Sequence, residues 1–234
     1  MGSERVAVVT AAGRGIGEAC ARRLTEDGYT PVLFSKSGAA VDVAEDLGGV
    51  GFEGSVTDPA DLEALVDAAV ERYGRVDAVV NNTGHPPTGD LLDIGDDEWH
   101  DALDLVLLNV VRTARLVTPV MREQGGGSLV NISTFSAFEP SADFPVSSIL
   151  RAALGSFTKL YADRHAADGI RMNAVLPGYA DSYEVDDETR AQIPMGRPAA
   201  TEEIADAVAY LASPNASYVT GQNIRVDGGL TRSV

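Results

Sequence analysis

Residues 10 to 17 read Thr10-Ala11-Ala12-Gly13-Arg14-Gly15-Ile16-Gly17, behind the apolar run Val6 to Val9 and ahead of the helical pattern Glu18 to Leu24. A glycine turn between a strand and a helix brings backbone N–H groups within reach of a pyrophosphate. The helix behind it aims its unpaired donors and positive dipole end at the same anion. The chemistry on offer is therefore dinucleotide binding. Arg14 in that turn and Lys36 beyond the second apolar run supply cations for a phosphate, and no acidic residue follows within Phe34-Ser35-Lys36-Ser37 to claim a free ribose 2′-hydroxyl. This favours NADP(H) over NAD(H). Three further segments carry polar groups suited to a site: Asn81-Asn82-Thr83-Gly84-His85, Ser133-Thr134-Phe135-Ser136, and Pro177-Gly178-Tyr179-Ala180-Asp181-Ser182.

The elements that must position these groups are legible as a series. β-branched runs near 5–10, 30–35, 50–53, 78–82, 128–133, 171–176 and 223–226 alternate with amphipathic segments of helical length. Seven strands separated by helices imply an α/β fold, a Rossmann-like doubly wound sheet of mainly parallel strands with helices on both faces. Ligands of such a sheet bind beyond the carboxyl ends of its strands, where the three polar segments fall. Asp58 before Pro59 marks one helix start, and Thr201 with Glu202 and Glu203 marks another. Gly28 to Pro31 and Gly125 to Gly127 read as loops. No repeat or linker divides residues 1–234, so a single domain is expected.

Composition narrows the partners. The formal charge of −17 argues against nucleic acid and anionic membrane surfaces as partners, leaving a small-molecule substrate and copies of the chain itself. The single cysteine, Cys20, rules out an internal disulfide, and His85, His100 and His165 lack metal-site spacing, so no metal is expected. The start of the chain runs directly into a strand pattern, and no apolar run reaches membrane-spanning length. A cytoplasmic location is expected. The acidic stretches Asp93 to Asp104 and Asp181 to Glu188 read as solvated faces.

Taken together, these segments resemble the short-chain dehydrogenase/reductase family in its classical form, similar to the ketoacyl-carrier-protein reductases. The resemblance spans the chain: the glycine turn, Asn81-Asn82-Thr83-Gly84, Asn131-Ile132-Ser133-Thr134, Ile170 to Gly178, Ile193 to Arg197, Ser217 to Gln222, and Val226-Asp227-Gly228-Gly229. It implies nicotinamide cofactor binding by Thr10, Gly13, Arg14, Gly15, Ile16, Gly17, Lys36, Ser55, Val56, Asn82, Gly84, Arg151, Pro177, Gly178 and Ser182. It also implies assembly as a dimer or tetramer. Ala11 replaces the first glycine of the family's turn, and Ser55 stands where members often carry an aspartate reaching the adenine.

The larger departure is at the catalytic positions. The family uses a serine, a tyrosine thirteen residues on and a lysine four beyond that, with a helix asparagine. Counting from Thr134 places Ser147 at the tyrosine and Arg151 at the lysine, while Asn109 matches the asparagine. A serine hydroxyl does not titrate near neutrality as the family's phenol does. Ser133, Thr134, Ser147 and Arg151 are therefore expected to bind a carbonyl or carboxylate oxygen, with the proton arriving from water or from His85, Tyr179 or Asp143. An NADP(H)-dependent oxidoreductase with a rebuilt proton relay is the leading reading. A halohydrin-dehalogenase-like lyase fits Arg151 but neither Ser147 nor the retained glycines, and a non-catalytic dinucleotide sensor would also keep the pocket.

Overall fold

The computed structural model describes residues 5–233. Seven strands, β1 (Arg5–Thr10), β2 (Tyr29–Ser35), β3 (Val50–Glu53), β4 (Ala78–Asn81), β5 (Gly127–Ile132), β6 (Ile170–Pro177) and β7 (Asn223–Val226), form one parallel sheet in the order 3-2-1-4-5-6-7. Among the described residues eight α-helices connect them: α1 (Gly15–Glu26), α2 (Ala39–Asp46), α3 (Pro59–Tyr73), α4 (Asp96–Leu103), α5 (Asn109–Glu123), α6 (Pro145–His165), α7 (Asp187–Gln192) and α8 (Thr201–Ala212). The order reverses between β1 and β4, which opens a crevice at their carboxyl ends.

Alternation along the buried strands explains the two layers. Ala7 and Val9 pack with Leu24 of α1 and Ile204 and Val208 of α8 on one face. Val6 and Val8 pack with Leu65 and Val66 of α3, Val117 and Met121 of α5 and Tyr161 of α6 on the other. Strands covered on both faces read as near-continuous apolar runs, which is why they stand out in the sequence.

Two boundaries differ from the sequence reading. β2 begins at Tyr29, so Thr30 and Pro31 lie within a strand and not in a loop. Proline is tolerated there because β2 pairs with β3 only from Val32 onward, so no ladder bond to that neighbour is lost at Pro31. Gly127 likewise opens β5, opposite Ile170. The helix starts follow the sequence signals with one shift. Asp58 accepts from the Ala60 amide at 2.9 Å, but α8 is capped from Ala200, whose amide donates to Glu203 at 2.9 Å while Arg197 pairs with the same carboxylate.

Among the described residues no helix is long and apolar enough to cross a membrane, and no group of side chains forms a metal-binding cluster. Cys20 is buried, and burial pushes its thiol up to about 12, so it packs as a small apolar residue.

Candidate active site

The glycine turn after β1 is closely built. Thr10 Oγ1 donates to the Asn82 carbonyl at 2.7 Å and accepts from the Asn82 amide at 2.9 Å, tying the ends of β1 and β4 together. Asn82 Nδ2 also donates to the Ala11 carbonyl at 3.3 Å. A Cβ at Gly17 would lie 2.1 Å from that carbonyl, and one at Gly13 would lie 2.8 Å from the Ala39 methyl, so both positions require glycine. Ile16 packs on the α1 side of the core. Among the described residues no side chain caps the first turn of α1, so its amide donors are open.

Ala11 carries the backbone strain of this turn, with φ at +47°, the only non-glycine residue with positive φ among those described. An L side chain there costs about 1–2 kcal/mol, part of which glycine would return to unfolded-state entropy. Ala11→Gly is therefore expected to raise stability by about 0.5–1 kcal/mol in urea denaturation; a lower midpoint would show that the methyl contributes packing that outweighs the strain.

Around the turn, the expected cofactor residues lie at or beyond the carboxyl ends of β1, β2, β3, β4 and β6. A Cβ at Gly15 would stand 3.3 Å from Ser182 Cβ, so the loop after β6 lies directly over the start of α1. A Cβ at Gly84 would meet nothing within 4 Å, which leaves the space beyond β4 open. Arg14 and Lys36 are both exposed and make no ion pair or hydrogen bond among the described residues. Glu53, which the sequence reading missed, pairs in register with Ser35 and brings its carboxylate beside Gly38 in the same loop region. Ser55 shares a 2.8 Å hydrogen bond with Thr57, so its hydroxyl is engaged locally, while its amide donates to Asp61. Val56 packs against the second core face. Pro177 closes β6 opposite Val226, and Gly178 sits so close to Asp227 that a Cβ would approach its Cα at 2.9 Å.

The groups expected at the reacting end gather at the ends of β4 and β5 and on α6. A buried chain fixes α6 against the sheet: Asn81 Nδ2 donates to Asn131 Oδ1 at 2.8 Å, and Asn131 Nδ2 donates to Thr158 Oγ1 at 3.0 Å. Thr158 lies two turns along α6 from Arg151, so this chain sets the height at which Ser147 and Arg151 are presented. Arg151 is 5% exposed and donates to the Ile132 carbonyl, while its Nε has no partner. Burial pulls its guanidinium down to about 10, which leaves it charged at neutral pH. Ser147, one turn earlier, is buried and its hydroxyl makes no hydrogen bond among the described residues. Ser133 Oγ, Ser136 Oγ and Thr83 Oγ1 are also buried without partners among the described residues. Thr83 and Ser136 were not singled out from sequence, because a hydroxyl following a strand is common and its isolation appears only in three dimensions.

Asn109 follows a π-helical turn, Asp104–Leu108, that packs against α6. Such turns widen a helix locally and recur at functional sites. Its Nδ2 donates to the Leu105 carbonyl and its backbone carbonyl accepts from Thr113 at 2.9 Å, so the side-chain amide bonds to its own helix and, among the described residues, makes no hydrogen bond to Ser147 or Arg151. His85 sits at the rim with its ring edge-on to Tyr183 at 5.1 Å. Burial, and then the positive charge of Arg151, hold its pKa below the usual 6.5. At neutral pH it is uncharged, an acceptor or a neutral donor but not an acid reservoir. Tyr179 stacks at 5.6 Å on Phe135; burial, then Asp143 and Asp186, push its phenol upward. Thr134 is extended at the start of the 3₁₀ turn Phe135–Ala137, with its carbonyl bonded to the Ala137 amide. Asp143 is occupied by a 3.3 Å hydrogen bond from Ser141.

A doubly wound sheet with a glycine turn at its switch point, facing polar side chains on the neighbouring strand ends, defines a Rossmann-type ligand-binding protein. The comparisons give the family. Residues 10–231 match the family model described as enoyl-(acyl carrier protein) reductase. The cis-4-hydroxycyclohexanecarboxylate dehydrogenase of Sinomonas cyclohexanicum is 36% identical over 242 residues, covering 98% of this chain and 97% of that protein. The 3-oxoacyl-[acyl-carrier-protein] reductase of Vibrio cholerae is 35% identical over 236 residues, covering 97% of both. The crystal structure of acetoin dehydrogenase from Enterobacter cloacae superposes with a TM-score of 0.89 at 31% identity, covering 98% of this chain and 96% of that one. The chain belongs to the short-chain dehydrogenase/reductase family of oxidoreductases and is similar to its ketoacyl-carrier-protein reductases.

Proposed function

We propose that this protein is an NADP(H)-dependent oxidoreductase of a small carbonyl or alcohol substrate, in which Ser147 and Arg151 hold the reacting oxygen and water supplies the proton. The observation that carries this reading is the placement of a packed, uncapped glycine turn at the same sheet end as the unpartnered hydroxyls and guanidinium. Relatives named as dehydrogenases of a hydroxycyclohexane acid and of acetoin, and as an oxoacyl reductase, support hydroxyl and carbonyl chemistry here.

The residues fit a dinucleotide. The α1 amides and Ser182 would hold its pyrophosphate, Arg14 and Lys36 its 2′-phosphate, and Val56 would border the adenine. Gly84, Asn82, Pro177 and Gly178 would flank the remainder. The bound nicotinamide supplies or accepts the hydride. Arg151 stabilises negative charge at the substrate oxygen, with Ser133, Thr134 and Ser147 as neutral donors. His85 is uncharged and Tyr179 is pushed upward, so neither serves as the family's neutral-pH acid. A cytoplasmic enzyme acting as a dimer or tetramer is consistent with this reading.

The test is NADPH oxidation, followed by absorbance, against a panel of small ketones and aldehydes. Slow but measurable turnover is expected. Its pH profile follows from the site: burial holds His85 below its usual 6.5, and Arg151 keeps its charge although burial lowers its pKa, so log(kcat/KM) should be level above about pH 7. A slope set by a group titrating near pH 8 would place a conventional acid in the site. NADPH binding with no turnover on any carbonyl would instead make the protein a nucleotide sensor.

A further inference from the structure

Arg151 poses a physical problem that cofactor binding leaves unsolved. It is a guanidinium at 5% exposure with one backbone acceptor, the Ile132 carbonyl, an unpartnered Nε, and no carboxylate paired with it among the described residues. An uncompensated buried charge is strongly unfavourable, and arginine cannot escape by shedding its proton near neutrality. The surroundings add donors and no counter-charge. Thr83 and Ser133 extend past the register partners Asn81 and Asn131 at the ends of adjacent strands, and both hydroxyls lack partners. Ser136 Oγ, in the 3₁₀ turn that packs on α6, is unpartnered as well. Ser147 presents a fourth free hydroxyl one turn from Arg151.

A ketone or alcohol oxygen would satisfy two of these donors and leave the charge standing. A carboxylate accepts about four hydrogen bonds, matches the guanidinium fork and brings the missing charge. We infer that Arg151, with the hydroxyls of Ser133, Ser136, Thr83 and Ser147, binds a carboxylate together with the reacting oxygen on the adjacent carbon, so that the substrate is a small 2-oxo or 2-hydroxy acid. The inference rests on the oxidoreductase reading for the reaction, but not for the anion.

The experiment is thermal melting and calorimetry of the full chain without nucleotide, at constant ionic strength, with pyruvate and its neutral isostere pyruvamide. Pyruvate should raise the melting temperature and bind at least tenfold more tightly than pyruvamide. Arg151→Gln should weaken pyruvate at least tenfold, and Arg151→Lys, which keeps the charge but not the fork, should weaken it less than Arg151→Gln does. Equal binding of the two probes, no binding of pyruvate, or pyruvate binding unchanged in Arg151→Gln would overturn the inference; the probe comparison needs no variant to fold. NADPH fluorescence on the same samples separates the two readings. NADPH binding without pyruvate binding removes the anion site alone, whereas pyruvate binding without NADPH binding removes the oxidoreductase reading alone.

Discussion

The double variant Ser147→Tyr/Arg151→Lys is expected to raise kcat/KM for small neutral ketones by about 10²–10⁴-fold at pH 7, the usual contribution of a positioned general acid. Ser147 lies buried on the face of α6 that also carries Arg151. A phenol there, beside an ammonium, would have its pKa drawn toward neutrality, which a serine hydroxyl cannot achieve. The two changes must be made together, because the ammonium is the compact charge that fits beside the ring. Steady-state NADPH oxidation checks the result. A double variant that binds NADPH yet shows no gain would mean that the pocket around Ser133 and Thr134 has been reshaped beyond these two side chains.

Removing the two exposed cations beside the glycine turn and the end of β2, Arg14→Ala/Lys36→Ala, is expected on the proposed function to weaken NADPH binding by about 100-fold while changing NADH affinity less than about threefold. Charge-assisted hydrogen bonds are worth about 1.5–3 kcal/mol, and exposure places these two at or below the lower end, about tenfold each. The two side chains are without partners among the described residues in a protein of net charge −17, so their charge is available to a ligand. The effect should diminish at high salt. Parallel fluorescence titrations with the two cofactors measure it, and equal losses for both would show that the cations serve the pyrophosphate instead.

Much of this architecture was readable in the residues because the sheet is buried on both faces. Val6 to Val9, Ala78 to Val80 and Ala174 to Leu176 are apolar on both sides of the pleat and cannot be mistaken for loops. Punctuation misled where context overrode it: Pro31 and Gly127 look like breakers, yet each occupies a strand position where a missing donor or side chain is tolerated. The site was legible as a set of strand-end residues but not as a charge balance. That Arg151 stands without a counter-ion, that His85 is held neutral, and that Thr83 and Ser136 have no partners are properties of the assembled interior. The π-helical turn ahead of Asn109 also left no mark, since Asp104-Leu105-Val106-Leu107-Leu108 has ordinary helical patterning.

The proposed function requires an intact nucleotide site beside a catalytic centre without its phenol. Titration of the purified protein with NADPH, following nicotinamide fluorescence, tests it most directly. The expected result is a saturable enhancement at one nucleotide per chain, weaker for NADH, that persists in Ser147→Ala. No enhancement at any concentration up to about 1 mM, far above ordinary cofactor affinities, would contradict it.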